Sequence, residues 1–266
     1  AEGVTKIGNN AFDGCTALES VVWNAKNCAD ASSLETAPFN NIGSQIKSFT
    51  FGEAVEHVPA YLCYGMDNLT SVIIPNNVKR IGSSAFAYCK SLQSINIPNS
   101  VTSIGHSAFR DCFSITSVIV PNSVTSIENE AFRGCIKLTS ITLSDYITSI
   151  GDRTFYDCYS LSSITIPKSI TSIGQSVFSM CNQLKSIVWN ARNYADAKDA
   201  PLYAIRSRIK SFTFGEAVEH IPAYLCYGME NLTSVSIPNS VTSIGEKAFE
   251  SCSALDSIVW NAKNCS

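Results

Sequence analysis

The sequence predicts a mostly β repeat solenoid, bent into an arc, in which each coil of 23 residues has one short strand, a second extended segment and one helical turn. Two residue columns support this prediction, because phenylalanine and cysteine each return every 23 residues. The phenylalanine column is Phe86, Phe109, Phe132, Phe155 and Phe178, and the cysteine column is Cys89, Cys112, Cys135, Cys158 and Cys181. A unit of this length cannot bury its apolar side alone, so we expect the coils to stack in register.

The apolar residue that opens each strand sets the coil boundaries. Its positions are 23 residues apart along most of the chain, with one interval of 28 and one of 25. They are Leu18, Ile46, Leu69, Leu92, Ile115, Leu138, Leu161, Leu184, Ile209, Leu232 and Leu255. We therefore predict one solenoid domain over residues 1–266 with about ten full coils, which extend for roughly 50 Å at the ordinary spacing of neighbouring strands.

The coil that begins at Leu92 illustrates how the residue order predicts a strand. Ile95 and Ile97 alternate with polar residues, and this alternation is typical of a strand with one buried face. Pro98 follows and ends the strand, because proline cannot donate a hydrogen bond to a ladder.

The second half of the same coil predicts the other two elements. Ile104 lies in a second short extended segment, and Gly105 turns the chain. Ala108, Phe109 and Cys112 then have the spacing of one helical turn with a single inward side.

The recurring pattern LxxIxIPxxVxxIGxxAFxxCxx resembles the BspA-like class of leucine-rich repeat, and the resemblance covers nearly the whole chain. Proteins of that family occur on the surfaces of many bacteria and some protists, and they are associated with adhesion to host matrix proteins and to other cells. The resemblance therefore implies a leucine-rich-repeat fold, an extracellular or cell-surface location, and a protein or glycan as the partner.

Two unusual coil types recur among the standard coils. Trp coils begin at Leu18, Leu184 and Leu255 and carry Trp23, Trp189 and Trp260 on the strand; Phe coils begin at Ile46 and Ile209. The order Trp coil, Phe coil, standard coil occurs twice, which indicates a duplicated larger module. Because terminal repeats normally need a cap, we expect the natural protein to continue beyond residue 266.

Charge and hydropathy exclude several classes of protein. With 19 basic and 22 acidic residues the formal net charge is −3, which argues against a nucleic-acid binder. The longest apolar runs are five residues, whereas a transmembrane helix needs about 20. We expect no membrane span, no cofactor, no metal site and a monomer, and we expect no enzyme activity, since no nucleophile, base and acid stand out together.

The 11 cysteines leave two interpretations open. Adjacent coils could bring the cysteine column close enough for disulfides, but a row of small buried thiols is favoured, because this position serves packing and needs no partner. Cys28 and Cys265, in the loops of the Trp coils, are expected to be the more reactive thiols.

Two surfaces are candidates for binding. The Trp coils run into irregular stretches, 24–45 and 190–208, and loops held by a rigid scaffold commonly carry recognition. The candidate contacts on these edges are Lys26, Asn27, Arg192, Asn193, Tyr194, Tyr203, Arg206 and Arg208. The second candidate is the exposed strand face, where serine recurs in every coil. The alternative function is a structural spacer that holds other domains away from the cell surface.

Overall fold

Two parallel strand ladders run along the chain in the computed structural model, which describes residues 2–196 and 200–263. In chain order the strands are β1 (Ser20–Trp23), β2 (Ser48–Phe51), β3 (His57–Val58), β4 (Ser71–Ile73), β5 (Arg80–Ile81), β6 (Ser94–Asn96), β7 (Ser103–Ile104), β8 (Ser117–Ile119), β9 (Ser126–Ile127), β10 (Ser140–Thr142), β11 (Ser149–Ile150), β12 (Ser163–Ile166), β13 (Ser172–Ile173), β14 (Ser186–Trp189), β15 (Ser211–Phe214), β16 (His220–Ile221), β17 (Ser234–Ile237), β18 (Ser243–Ile244) and β19 (Ser257–Trp260). The predicted solenoid is confirmed.

The first ladder contains the longer strand of each coil. Its strands β1, β2, β4, β6, β8, β10, β12, β14, β15, β17 and β19 lie side by side in that order, and serine pairs with serine where the register is resolved, as in Ser71 with Ser94. The register survives the longer intervals, because Ser20 pairs with Ser48 and Ser186 with Ser211. Short 3-10 helices, Leu34–Thr36, Gly43–Gln45 and Tyr203–Arg208, take up residues of these irregular segments.

Each strand of the second ladder has two residues. The first is half-buried or exposed, and the second points towards the core. Strands β3, β5, β7, β9, β11 and β13 form one run, and β16 pairs with β18. Gly105 follows β7 and lies close to the preceding coil, since a Cβ there would be 2.9 Å from the backbone of Gly82. Glycine has no Cβ and so avoids this contact, whereas the next coil has Glu128 at the equivalent position.

The third side of each coil differs from the expected helical turn. It consists of successive tight turns, in which, for example, the Ala85 N–H donates to the Gly82 carbonyl. Alternate N–H groups donate instead to the next coil, as the Phe86 N–H does to the Ala108 carbonyl. Ser84 and Tyr88 have positive φ. A left-handed residue interrupts a right-handed helix, so the prediction of a helical turn was wrong in its hydrogen bonding, although the inward-facing residues were correct.

The core lies between the ladders and the turns, and its centre is a column of phenylalanine rings. Neighbouring rings from Phe86 to Phe178 are stacked with centroids 5.3–6.0 Å apart. Trp23 and Trp189 are buried in the core, whereas Trp260 in β19 is 54% exposed. The coils thus share one continuous apolar interior, as expected for repeats that are stable only when stacked.

Candidate binding surface

The first ladder presents a flat outer face of small and aliphatic side chains. Strand residues alternate between exposed and buried, so the serine row and the row two residues further on point away from the core. Val22, Ile73 and Ile119 on this outer row are 70%, 77% and 70% exposed. Exposed aliphatic side chains on a rigid ladder make this strand face a surface able to bury apolar groups of a partner.

An open groove of about 790 Å³ lies on this face beside Ile119. Its wall includes Pro121, Asn122 and Asp145 from the loops that follow the strands, and the Asp145 N–H donates to the Asn122 side chain over 3.2 Å. The groove therefore combines apolar strand residues with the Asp145 carboxylate and with the Asn122 amide, which the Asp145 N–H holds in place.

The first irregular edge carries Lys26 and Asn27, both exposed. The Lys26 Nζ lies 2.9 Å from Glu56 Oε1, and Asn27 Nδ2 donates to Glu56 Oε2 over 3.0 Å. The hydrogen bond with Glu56 raises the pKa of Lys26, and that bond, with the one from Asn27, lowers the pKa of Glu56. The positive charge of this edge is thus paired with the adjacent Phe coil.

The second edge repeats this pairing. Arg192 is exposed and donates to Glu219, with its Nε 2.9 Å from Oε1, and Asn193 is exposed beside it. Tyr194, however, is only 7% exposed, and its ring packs against Trp189 at 5.2 Å. The prediction of Tyr194 as a contact residue is wrong, because the ring is used to fill the core.

The remaining candidates lie on the 3-10 helix Tyr203–Arg208. Tyr203 is exposed, and the guanidinium of Arg206 stacks over its ring at 3.6 Å. Arg206 and Arg208 also donate to carbonyl groups of the same segment. The edges that carry Lys26 and Arg192 are seven coils apart, roughly 35 Å at the strand spacing, so these residues form two separate surfaces.

An aspartate in each module was missed by sequence reasoning. Asp30 Oδ1 accepts the Ala60 N–H over 2.8 Å, and Asp196 Oδ1 accepts the Ala223 N–H over 2.6 Å. Each aspartate lies seven residues after the tryptophan of its coil, and this shared offset is the signal that could have revealed it. Both therefore fasten a Trp coil to the following Phe coil.

The histidines of the Phe coils lie beside these aspartates, and the two copies differ. His220 Nε2 is 2.8 Å from Asp196 Oδ1, and its Nδ1 is 2.7 Å from Ser243 Oγ. In the first copy the equivalent aspartate is Asp30, and Arg80 Nη2 donates to its Oδ2 over 3.0 Å. A serine, histidine and aspartate row also occurs in hydrolases, but what the two copies share is the contact of the aspartate with a backbone N–H.

The buried cysteines are free thiols, as the favoured interpretation predicted. The ten cysteines that the structure describes make no disulfide, and those of the column donate to the previous coil, as in Cys112 Sγ to the Phe86 carbonyl over 3.1 Å. Cys28 is also buried, and burial raises the pKa of its thiol, so the expectation that it is reactive is wrong. Cys265 lies outside the described residues.

Residues 2–196 and 200–263 offer neither a metal site nor a membrane-spanning helix. No cluster of three or more histidine, cysteine or acidic side chains could hold a metal ion there. In the same ranges, no helix has the length and apolar character needed to cross a bilayer.

Comparison with known proteins agrees with this architecture. The profile described as "BspA type Leucine rich repeat region" matches in six copies, over residues 1–116, 102–197 and 202–265, and no curated protein matches the chain. A leucine-rich cell surface protein from Faecalibacterium prausnitzii is 23% identical, with a TM-score of 0.57 over 90% of this chain and 84% of that one. A leucine-rich repeat protein from Bacteroides ovatus is 20% identical, with a TM-score of 0.55 over 98% and 78%. These two structures share the fold, and the profile match shows that the chain belongs to the BspA-type leucine-rich repeat family.

Proposed function

We propose that this chain is a non-enzymatic binding module, displayed outside the cell, that presents its strand face to a protein partner. The observation that carries the proposal is the exposure of Ile73 and Ile119 on strands in register with their neighbours, where Ile73 pairs with Asn96 and Ile119 with Thr142. Family membership supports it, since leucine-rich repeats generally mediate protein binding. A structure similar in fold is described as a cell surface protein, which supports the location.

The chemistry of the strand face favours a protein over a glycan. The outer row holds Val22, Ile73, Ile119 and Val188 among threonine, serine and asparagine, and it contains no aromatic residue. Aliphatic groups bury well against apolar side chains. Because the ladder is rigid, little conformational freedom is lost on binding.

The edge residues Lys26, Asn27, Arg192, Asn193, Tyr203, Arg206 and Arg208 belong to the same proposal as a source of specificity. Hydrogen bonds and ion pairs within the chain hold Lys26, Asn27, Arg192, Arg206 and Arg208 in defined positions. Contacts at the rim of an interface mainly change specificity and association rate, so the strand face is expected to supply most of the affinity.

The test begins with an array of immobilised extracellular-matrix proteins and glycans probed with the purified chain. We expect saturable binding to a protein, reduced at least tenfold by Ile119→Glu, which places a charge on the strand face. The matched control is Tyr159→Glu, which places the same charge on an exposed residue of the turn segment and is expected to leave binding unchanged.

Three results would count against the proposal. Binding only to glycans would reject the protein partner, and equal effects of the two glutamates would reject the strand face. If no immobilised molecule binds saturably, the structural spacer is the better description.

Shortening residues 190–208 to a standard 23-residue coil is expected to keep the fold and weaken binding, and unchanged affinity would remove that edge from the site.

A further inference from the structure

The two junctions between a Trp coil and a Phe coil carry different charges at the first ladder. In the first junction Glu19 and Lys47 directly precede β1 and β2, and the Lys47 Nζ lies 2.6 Å from the Glu19 Oε1. In the second junction Lys185 and Lys210 directly precede β14 and β15. An ion pair in one junction is therefore replaced by two lysines in the other.

The backbone places both pairs of side chains in the same way. The Lys47 N–H donates to the Glu19 carbonyl over 2.8 Å, and the Lys210 N–H donates to the Lys185 carbonyl over 2.8 Å. Like charges at neighbouring positions of adjacent strands destabilise a sheet. The second pair therefore lowers the stability of its junction unless an anion lies between the two ammonium groups.

An acidic residue stands at this position in the other two Trp coils. The coils that begin at Leu18 and Leu255 have Glu19 and Asp256, whereas the coil that begins at Leu184 has Lys185. Lys210, in contrast, matches Lys47 of the first Phe coil. The second junction thus has the cation without its carboxylate.

Two arginines increase the positive charge of the second junction. Arg206 and Arg208 lie on the 3-10 helix just before Lys210, at positions where the first junction has Gly43 and Gln45. One Nη1 of each arginine donates to a carbonyl of the same segment. Since a guanidinium has five N–H donors, each arginine keeps donors for a ligand.

The guanidinium of Arg208 lies close to the coil that contains Lys185. Burial raises the pKa of the Cys181 thiol, and the positive charge of Arg208 opposes this rise. Cys181 is four residues before Lys185 in the chain. The basic side chains of this junction therefore form one surface, the cationic patch, which consists of Lys185, Arg206, Arg208 and Lys210.

The cationic patch is not neutralised by the part of the chain that the structure describes. Its four side chains make no ion pair with an acidic residue of 2–196 and 200–263, whereas Lys26 and Arg192 on the irregular edges pair with Glu56 and Glu219. The whole chain has a net charge of −3. A concentrated positive charge on a negative molecule attracts an anionic group to that place.

We propose that the cationic patch binds an acidic segment of the protein partner, whose carboxylates take the place that Glu19 occupies in the first junction. Carboxylates suit both the ammonium groups and the planar guanidinium groups of the patch. A long polyanion such as a sulfated glycan would extend beyond the patch over a negatively charged chain, which disfavours it. Because β14 and β15 belong to the strand face, one partner can bury apolar groups there and place its acidic segment on the patch. That the partner is a protein rests on the function proposed above.

The test uses acetylated hexaglutamate amide as the acidic segment and a heparin hexasaccharide as the sulfated glycan. Binding to the whole chain is measured by titration calorimetry at about 0.05 M salt, where surface charges are weakly screened. We expect saturable binding of hexaglutamate that is tighter than binding of the heparin fragment. We also expect its affinity to fall at least tenfold at about 0.3 M salt.

A single substitution reproduces the first junction in the second. Lys185→Glu is expected to fold, since Glu19 occupies the equivalent position, and to weaken hexaglutamate binding at least tenfold by pairing with Lys210. The matched control is Lys79→Glu, which makes the same change of charge at an exposed lysine beside β5 and is expected to change the affinity less than twofold.

Four results would overturn the inference. They are the absence of saturable hexaglutamate binding, an affinity that does not depend on salt, tighter binding of the heparin fragment, and equal effects of the two glutamates. If Lys185→Glu does not fold, Lys185→Gln is expected to weaken binding at least threefold, and an unchanged affinity overturns the inference instead.

Failure of this inference can be distinguished from failure of the proposed function. A matrix protein that binds through Ile119 with an affinity unchanged by Lys185→Glu would keep the proposed function and reject the cationic patch. If no matrix protein binds but hexaglutamate binds and is sensitive to Lys185→Glu, the proposed function fails while the patch is supported as a carboxylate site.

Discussion

Removal of one ring from the centre of the phenylalanine column measures how strongly adjacent coils are coupled. Phe132 is fully buried and stacks on Phe109 at 5.3 Å and on Phe155 at 6.0 Å. Truncation of a buried phenylalanine to alanine costs about 3–5 kcal/mol, and each aromatic pair contributes about 0.5–1.5 kcal/mol beyond its buried area. Since Phe132→Ala breaks two pairs, we expect the free energy of unfolding to fall by about 5 kcal/mol.

The assay is equilibrium unfolding in urea, followed by circular dichroism. The control is Phe249→Ala, because Phe249 is only half-buried and its ring contacts Phe214 at 6.2 Å. We expect that variant to lose about 2 kcal/mol, less than the central one. A loss below about 2 kcal/mol for Phe132→Ala, or equal losses for both variants, would refute the idea that the ring column couples the coils.

Three further predictions concern single residues. Burial raises the pKa of Cys89 to about 12. A thiol reagent should therefore modify the exposed Cys15 in the native chain but Cys89 only in urea, as measured by mass spectrometry. Equal modification rates of the two cysteines in the native chain would contradict a buried Cys89 thiol. Asp157 has a φ of 57° at the position where another coil has Gly134. Asp157→Gly should therefore raise the free energy of unfolding in urea by about 1 kcal/mol, and a decrease would refute backbone strain at this position. The Ala223 N–H and His220 lower the pKa of Asp196 from its ordinary 3.8. Its ionised form therefore stabilises the fold above that value, and the stability is lost as the pH falls through the lowered pKa. The stability advantage over Asp196→Asn, measured in urea, should be present at pH 7 and shrink below about pH 3.8; a pH-independent difference would falsify this assignment.

The elements that repeat in every coil could be predicted from the sequence. The contacts that occur at only one or two places along the chain could not. The serine row and the phenylalanine column were located correctly, because the same residue type returns to the same place in every coil. Tyr194 was assigned to a binding edge, because its loop is irregular and nothing in the sequence shows that the ring turns inward against Trp189. Lys26 was assigned to a binding edge for the same reason, and the sequence did not show that it pairs with Glu56, which lies 30 residues further along the chain.

The period of 23 residues by itself determined the solenoid, its parallel ladders and the composition of its core, since a unit too small to fold alone gains a buried interior only from copies in register. The tertiary structure alone decided which charges are paired and which loop side chains face the core. These properties depend on the side chain that the adjacent coil places opposite each position. Cys28 and Tyr194 occupy equivalent positions in irregular loops, and only the packing around them shows that both side chains are buried, the tyrosine ring against Trp189.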